Sequence, residues 1–295
     1  MIIKNIMKYL MISVLFVCGL FSSVILTSTA LLAKQTDQVK DGYPQRIVAL
    51  SPHSVELLYA IGAGDKIVAV ITHSDYPEAA KKIEVIGDHR GITLEKLISL
   101  KPDLVVTWSS GNKIHQVEQI KKLGFNVVDS NPNSLDEIAS DLRKLGKLTG
   151  HHEQAERVAK KFEDELATIT KKYQHRTPIK TFYQLWSKPL MTISKGSWIN
   201  QFITRCGGVN VFHDAENPYP KISTENVLLS GAQVILIPDD NQTRSHEFFD
   251  WKRWKVLPAV KNKQIYYTDA KVLHRPTPRV LEPMQQVCEF INEAR

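Results

Sequence analysis

Aromatic and hydrogen-bonding side chains follow the predicted strands in both halves of the sequence. An aromatic residue taken alone more often belongs to a core, but all of these share a position at strand ends beside proline or glycine. Ligands of open α/β sheets bind at the carboxyl ends of strands. Rings and a few donors facing each other from two halves would suit a large, flat, partly apolar ligand bearing amide or phosphate groups. The residues are Pro52, His53, Tyr76, His89, Arg90, Trp108, Trp186, Tyr219, His274 and Arg275.

Three histidines of the first half raise the question of a metal site. His53, His73 and His89 lie in three successive predicted loops, and a zinc or manganese ion needs about that many ligands. No short-range spacing brings the three together. We therefore expect exposed loop histidines and no metal site.

Catalytic motifs are missing from the sequence. The stretch "IGAGDK" contains a Gly-x-Gly, but it follows a predicted helix and lacks the third glycine, so it is typical of a helix end before a strand. The sequence has no phosphate-binding loop, no Gly-x-Ser-x-Gly and no His-Glu-x-x-His. We expect no catalytic residues, and an enzyme of unknown type is the weaker alternative.

Aliphatic strands alternate with amphipathic helices, which predicts an α/β fold with mainly parallel sheets. The expected organisation is an N-terminal lobe over 44–149, a connecting helix over 150–176 and a C-terminal lobe over 177–295. Before the connecting helix, Ser134 and Glu137 predict a capping box. An apolar stripe at helical spacing predicts that the connecting helix is long and rigid: Ala155, Val158, Ala159, Phe162, Leu166, Ile169 and Tyr173.

An internal repeat supports two related lobes. "GITLEKLISLKPDLVVTW" and "KISTENVLLSGAQVILIP" align without a gap when Glu95 is placed on Glu225. Each copy predicts a capping hydroxyl, Thr93 or Ser223, followed by an aliphatic helix, a short break and a buried strand. We therefore expect two related α/β lobes joined by one helix.

The N-terminus predicts export. Lys4 and Lys8 precede an apolar run within residues 1–33, and "STA" provides a small-x-small cleavage site. An uncleaved membrane anchor is the alternative because the run is long. Removal of this segment leaves Cys206 and Cys288, which we expect to form a disulfide in an oxidising compartment; two separate buried thiols are the alternative.

The length of 295 residues and 43% hydrophobic content allow two lobes with cores of their own. The formal charge of +7 does not indicate a nucleic-acid partner. Basic residues are interspersed with acidic ones, as in "KKFEDELATITKK", which is typical of solvated helix faces, and no nucleic-acid-binding module is present.

Several motifs together resemble those of periplasmic vitamin B12-binding proteins, which deliver cobalamin to ABC importers. They are "RIVALSPHSVELLYAIGAGDKIVAV", "HSDYPEAAKKIE", "GITLEKLISLKPDLVVTWSSGN", "RCGGVNVF", "NPYPKIS", "RPTPR" and "QQVC". "KPDLVV" alone indicates the wider group, which also binds siderophores and haem. The combination of "SDYP", "TWSSGN" and the two cysteines narrows the resemblance to cobalamin binders. It implies two Rossmann-like lobes bridged by a rigid helix.

The resemblance also implies partners. Cobalamin is the transported ligand and no cofactor is expected; a permease dimer in the inner membrane is the protein partner, and the protein itself is expected to be a periplasmic monomer. Glu95 and Glu225 match glutamates that dock onto basic residues of the two transporter subunits. A glutamate in a first helical turn would otherwise be a surface residue stabilised by the helix dipole.

Residue by residue, Tyr76 and Trp108 match ring positions of the first lobe that contact the corrinoid. Tyr219 matches an aromatic of the second lobe, Arg275 a polar contact, and Cys206 with Cys288 the family's disulfide. His89 stands where a tryptophan is common, and "TDAKVLHRPTPR" lacks the aromatic expected before the arginine. The predicted ligand-binding set is Pro52, Tyr76, His89, Trp108, Trp186, Tyr219 and Arg275. Haem or a ferric siderophore is the alternative ligand; siderophore sites usually carry several arginines, and these loops offer chiefly Arg90 and Arg275.

Overall fold

The computed structural model describes residues 42–239 and 250–295. Residues Pro44–Arg295 belong to one compact unit. The predicted export segment 1–33 lies outside the described residues. Among the residues that are described, no helix is both long enough and apolar enough to cross a membrane.

The first lobe is built on a five-stranded parallel sheet. Its strands lie in the order β3 (Glu84–Val85), β2 (Ile67–Val70), β1 (Ile47–Ala49), β6 (Leu104–Thr107) and β7 (Val127–Asp129). The helices are α1 (Pro52–Ala60), α2 (Leu94–Leu100), α3 (Ile114–Lys122) and α4 (Leu135–Thr149), and a small hairpin joins β4 (Gly87–Asp88) to β5 (Gly91–Ile92). Strands β1 and β6 are buried at every position, as expected for a parallel sheet covered on both faces.

The second lobe has a four-stranded parallel sheet in the order β11 (Gly208–Asn210), β8 (Ile179–Tyr183), β12 (Val234–Asp239) and β13 (Ile265–Asp269). A hairpin of β9 (Trp186–Ser187) and β10 (Leu190–Met191) follows β8. The described helices of this lobe are α6 (Asn200–Arg205), α7 (Thr224–Ser230), α8 (Pro258–Lys261), α9 (Ala270–Leu273) and α10 (Leu281–Glu293). The predicted fold class of two mainly parallel α/β lobes is confirmed.

The helix between the lobes is α5, His152–Tyr173, which has 22 residues. It packs against α4, and Gly146 permits the close approach: a Cβ atom there would lie 2.2 Å from the Cβ of Ala155. Its predicted apolar stripe is largely buried, with Ala155, Ala159, Phe162, Leu166 and Tyr173 in the core. The connecting helix is thus braced along its length, and the predicted lobe boundaries at 149 and 177 remain predictions.

The two copies of the repeat occupy equivalent places in the two sheets. Asp103, just before β6, accepts hydrogen bonds from the backbone N–H groups of Gln45 and Arg46 at 2.7 and 2.9 Å. Gln233, just before β12, accepts one from the N–H of Lys180 at 3.0 Å. In each lobe the residue before the strand therefore fixes the start of the neighbouring strand.

Two predicted helix caps are wrong in detail. Thr93 is the residue before α2, but its side chain makes no capping hydrogen bond, whereas Ser223 forms a complete capping box with Asn226. At α4 the Ser134 hydroxyl accepts from the N–H of Glu137, but the Glu137 carboxylate reaches the N–H of Asn133 at 2.7 Å. The carboxylate therefore caps one residue earlier than the predicted box requires.

Cys206 and Cys288 form a disulfide with an Sγ–Sγ distance of 1.96 Å. The bond ties the end of α6 to α10, and both cysteines are fully buried. The Arg295 guanidinium adds hydrogen bonds to the carbonyl oxygens of Cys206 and Gly207 at 3.1 and 3.3 Å. The predicted pairing is confirmed, and it anchors the last helix to the second lobe.

Candidate ligand-binding cleft

Trp108 lies directly after β6, and contacts with Asn112, Gly111 and His53 fix its position. Its backbone N–H donates to Oδ1 of Asn112 at 2.7 Å, while the Asn112 amide donates to the carbonyl oxygen of Leu50 at 2.8 Å. Gly111 lies against the indole, so that a Cβ there would come within 2.0 Å of the ring. Only glycine fits at this position, and the loop thereby presents the indole at the carboxyl end of the strand.

The imidazole of His53 packs against the indole of Trp108. The two rings meet edge to face with centroids 5.5 Å apart. The Nε2–H of His53 donates to the carbonyl oxygen of Ser130, with an N–O distance of 2.9 Å. Burial lowers the pKa of His53 to about 4 against the raising effect of that hydrogen bond, so the imidazole is neutral near pH 7.

The prediction that His53 is an exposed loop histidine is therefore wrong. Ser51 caps α1 by accepting from the N–H of Ser54, and Pro52 occupies the first helical turn. His53 consequently lies inside the helix and is 3% exposed. His73 and His89 are exposed, as predicted. Among the described residues no group of three or more His, Cys, Asp or Glu side chains could hold a metal ion.

Tyr76 projects from the loop after β2 and is 43% exposed. The guanidinium of Arg279, from the second lobe, lies over its ring at 3.5 Å from the centroid. This is a cation–π contact. Tyr76 therefore presents part of its ring at the strand ends of the first lobe while its other face is held by the second lobe.

Arg275 lies between the lobes. Its guanidinium donates to Asp75 Oδ1 at 2.7 Å, to Glu56 Oε1 at 2.9 Å and to the carbonyl oxygen of His73 at 2.9 Å. The predicted polar residue is therefore at the strand ends, but its hydrogen bonds go to the first lobe. Sequence reasoning missed Glu56, Asp75 and Arg279; the one available signal was a carboxylate, Glu56, set in the apolar run "SVELLYA".

The charges around Arg275 affect its neighbours. Burial acts to raise the pKa of Asp75, but the hydrogen bond and charge of Arg275 outweigh it and leave that pKa below the usual value. Burial acts to lower the pKa of Arg275, and the carboxylates of Asp75 and Glu56 outweigh it and raise that pKa. Next to it, His274 has its pKa lowered to about 4 by burial and lies 2.7 Å from the hydroxyl of Tyr183. Asp75 and Arg275 therefore both stay charged at neutral pH.

The second lobe contributes Trp186 and Tyr219 from adjacent segments. Met191 pairs with Trp186 across the β9–β10 hairpin and also bridges to Lys221, two residues beyond Tyr219. The indole N–H of Trp186 donates to the carbonyl oxygen of Lys188 at 3.0 Å. Trp186 is 59% exposed and Tyr219 41% exposed. Both rings are therefore available to a ligand on the strand-end side of this lobe.

The remaining predicted residues lie on the first lobe. Pro52 begins α1 next to His53, and His89 is exposed on the β4–β5 hairpin, where it lines one small cavity together with Asn112 of the Trp108 loop. Arg90, beside it, is bound to its own neighbour Asp88 at 2.7 Å. The structure thus joins Tyr76 to the Arg275 region and His53 to Trp108, and groups Trp186 with Tyr219.

Comparison with known proteins places this geometry in context. The chain is 39% identical over 252 residues to a vitamin B12-binding protein of Vibrio cholerae, covering 85% of this chain and 90% of that protein. It is 36% identical over 245 residues to a vitamin B12-binding protein of Yersinia pestis, covering 83% of this chain and 85% of that protein.

Solved structures agree with these relatives. The crystal structure of the periplasmic vitamin B12-binding protein of Vibrio cholerae matches with a TM-score of 0.78 and 39% identity, covering 85% of this chain and 98% of that one. A periplasmic haem-binding protein from Roseiflexus matches with a TM-score of 0.73 at 23% identity, covering 85% and 98%, and shares the fold. Residues 47–272 match the family described as periplasmic binding protein. This is the wider group that the sequence motifs predicted, and the chain belongs to the periplasmic binding protein family.

Proposed function

We propose that this protein captures cobalamin between its two lobes in the periplasm and delivers it to an ABC importer of the inner membrane. The observation that carries the proposal is the 39% identity over 252 residues to a vitamin B12-binding protein. The exposed rings at the strand ends of both lobes support it, because a corrin is large, flat and partly apolar and carries amide side chains.

In this proposal the corrin lies between two sets of rings. Tyr76 and Trp108 contact it from the first lobe, with Pro52 and His89 at the edge of the same surface. Trp186 and Tyr219 contact it from the second lobe. Arg275 acts at the junction, where its guanidinium contributes one polar contact in addition to its hydrogen bonds with the first lobe.

Delivery to the importer would use the repeated helices α2 and α7. Glu95 and Glu225 are exposed in the first turn of these helices, at equivalent points of the two lobes. Two equivalent carboxylates would suit a permease dimer with twofold symmetry that offers one basic site per subunit. We further propose that the protein acts as a monomer and binds its ligand without turning it over.

A ligand titration tests the function. The chain from Gln35 onward is titrated in parallel with cyanocobalamin, haemin and a ferric siderophore, followed by calorimetry and absorbance. We expect saturable binding of one cyanocobalamin per protein and none of comparable strength for the other two. Tighter binding of haemin or the siderophore would mean that this compound, and not cobalamin, is the ligand. Absence of binding to all three would overturn the proposal.

A further inference from the structure

A carboxylate is buried in the first lobe at a position where the neighbouring residues are apolar. Glu56 lies on α1, and its side chain is only 3% exposed. Its neighbours Val55, Leu57 and Leu58 are fully buried. An ionised carboxylate in such surroundings is strongly unfavourable unless it is paired and hydrogen-bonded.

The hydrogen bonds to this carboxylate come from one short segment of the second lobe, residues 275–279. Arg275 donates from Nη1 to Oε1 at 2.9 Å, and Arg279 donates from Nη1 to the same oxygen at 3.1 Å. The hydroxyl of Thr277 donates to Oε2 at 3.0 Å. Glu56 therefore accepts three hydrogen bonds across the junction of the lobes.

The segment is attached to the first lobe at a second place. Arg275 also donates to Asp75 at 2.7 Å and to the carbonyl oxygen of His73 at 2.9 Å. Two guanidinium groups then face two carboxylates, so the charges of the cluster balance. Charge-assisted bonds of this kind are short and directional, and they fix geometry more firmly than contacts between apolar side chains.

The cluster continues into the candidate ligand surface. The same Arg279 that is held by Glu56 lies over the ring of Tyr76 at 3.5 Å, and Asp75 is the residue directly before Tyr76. We propose that Glu56 is a positioning residue: it holds segment 275–279 against the first lobe and so sets the spacing of the lobes and the orientation of Tyr76 before the ligand enters. The ligand part of this inference rests on the function proposed above.

A second ion cluster of the same chemistry offers a matched control. Arg143 on α4 binds Glu156 at 2.7 Å and Glu163 at 2.5 Å on α5. Its residues lie on two adjacent helices, and the side chain of Glu163 is 42% exposed. Glu163→Gln removes one carboxylate charge from an arginine, as Glu56→Gln does, but away from segment 275–279.

The first experiment measures lobe spacing without any ligand. Nitroxide labels are attached through Leu123→Cys in the first lobe and Leu229→Cys in the second, both exposed positions, and their distance distribution is recorded by pulsed electron paramagnetic resonance. We expect one narrow distribution for the parent and for Glu163→Gln, and a broader or displaced one for Glu56→Gln. An unchanged distribution in Glu56→Gln would overturn the inference, as would equal broadening in both variants.

The second experiment measures cyanocobalamin affinity and association rate. If the competent arrangement falls to about one tenth of the population, the apparent Kd rises about tenfold. We expect this loss in Glu56→Gln, mainly in the association rate, and none in Glu163→Gln. Unchanged affinity in Glu56→Gln would refute the link to the ligand. If the parent binds no cobalamin, the proposed function fails while the distance measurement still decides the role of Glu56.

A milder variant covers the case in which Glu56→Gln does not fold. Thr277→Val removes one hydrogen bond to Glu56 and keeps every charge. We expect a smaller change in the same direction, both in the distance distribution and in affinity. A folded Thr277→Val protein that matches the parent in both measurements, together with an unfolded Glu56→Gln, would reduce Glu56 to a general stability role and overturn the inference.

Discussion

The two copies of the repeat, 91–108 and 221–238, form the same helix and strand from different residues. Their helices bury the same position, Leu97 in α2 and Val227 in α7, and both are fully buried. Each helix is followed by a strand that starts at the same offset, β6 at Leu104 and β12 at Val234. The helix and strand of each copy therefore depend on one buried apolar side chain in the helix and on one buried strand.

The copies differ at the helix ends and at the position of Trp108. Ser223 caps its helix and Thr93 does not. The residue that ends each helix adopts a left-handed conformation. In the second copy this residue is Gly231, with φ 67°, and in the first it is Lys101, with φ 46°. A non-glycine residue costs about 1 kcal/mol there. Trp108 directly follows β6 in the first copy, whereas the equivalent Pro238 lies inside β12 in the second. The two copies thus share one packing but differ in their helix caps, and binding is expected at the position where the first copy carries Trp108.

The largest expected effect tests what the copies share. Glu95→Ala combined with Glu225→Ala should leave cyanocobalamin affinity intact and impair uptake through the importer severely, because each lobe loses the carboxylate that we propose docks onto the importer. Uptake in whole cells or in vesicles containing the importer measures this. Glu118→Ala with Glu289→Ala, two exposed glutamates outside the repeat, is the control. Normal uptake in the first double variant would leave both glutamates as surface residues.

The next prediction concerns the Cys206–Cys288 disulfide, which lies in the lobe that contains the second copy. Cys206→Ser with Cys288→Ser should lower the free energy of unfolding by about 4 kcal/mol, because the bond closes a loop of 82 residues in the unfolded chain. Urea unfolding measures the loss. Digestion of the non-reduced parent should yield one linked peptide pair. Two free thiols in protein isolated from the periplasm would contradict the pairing in the cell.

Substitution of Trp108 tests whether the position at which the two copies differ contributes to binding. Trp108→Ala should weaken cyanocobalamin binding by about 1–3 kcal/mol, the range for loss of a buried aromatic contact. Calorimetry measures the change. Leu123→Ala, an exposed apolar residue at the end of α3 in the same lobe, should have no effect. An affinity equal to that of the parent would remove Trp108 from the site.

The helix caps give the smallest expected effect. Ser223→Ala should lower the free energy of unfolding by about 1 kcal/mol, because an N–H at the start of α7 loses its acceptor. Thr93→Ala should change it by much less, since the Thr93 side chain caps nothing. Thermal unfolding of the two variants side by side measures the contrast. Equal losses would mean that Thr93 caps α2 in solution.

The elements could be predicted because they depend on local patterns. The alternation of strands and helices, the apolar stripe of α5 and the aligned repeat are all visible in the sequence, and pairing of the two cysteines that remain after export followed from their number. The cap at Thr93 could not be predicted, because a hydroxyl at the right position still needs the right rotamer. Glu56 and Arg279 were missed because their pairing depends on how the lobes meet, which no short pattern encodes. The role of each cleft residue stays a prediction.

The support that His53 gives Trp108 has a consequence for behaviour in acid. The pKa of His53 is about 4 in the folded protein against about 6.5 for an exposed histidine, so the unfolded chain binds more protons between these values. The contribution to stability is fully present above pH 6.5 and is lost as the pH falls towards 4, a total of about 3 kcal/mol. Mild acid therefore lowers the free energy of unfolding through the residue that packs against the indole of Trp108.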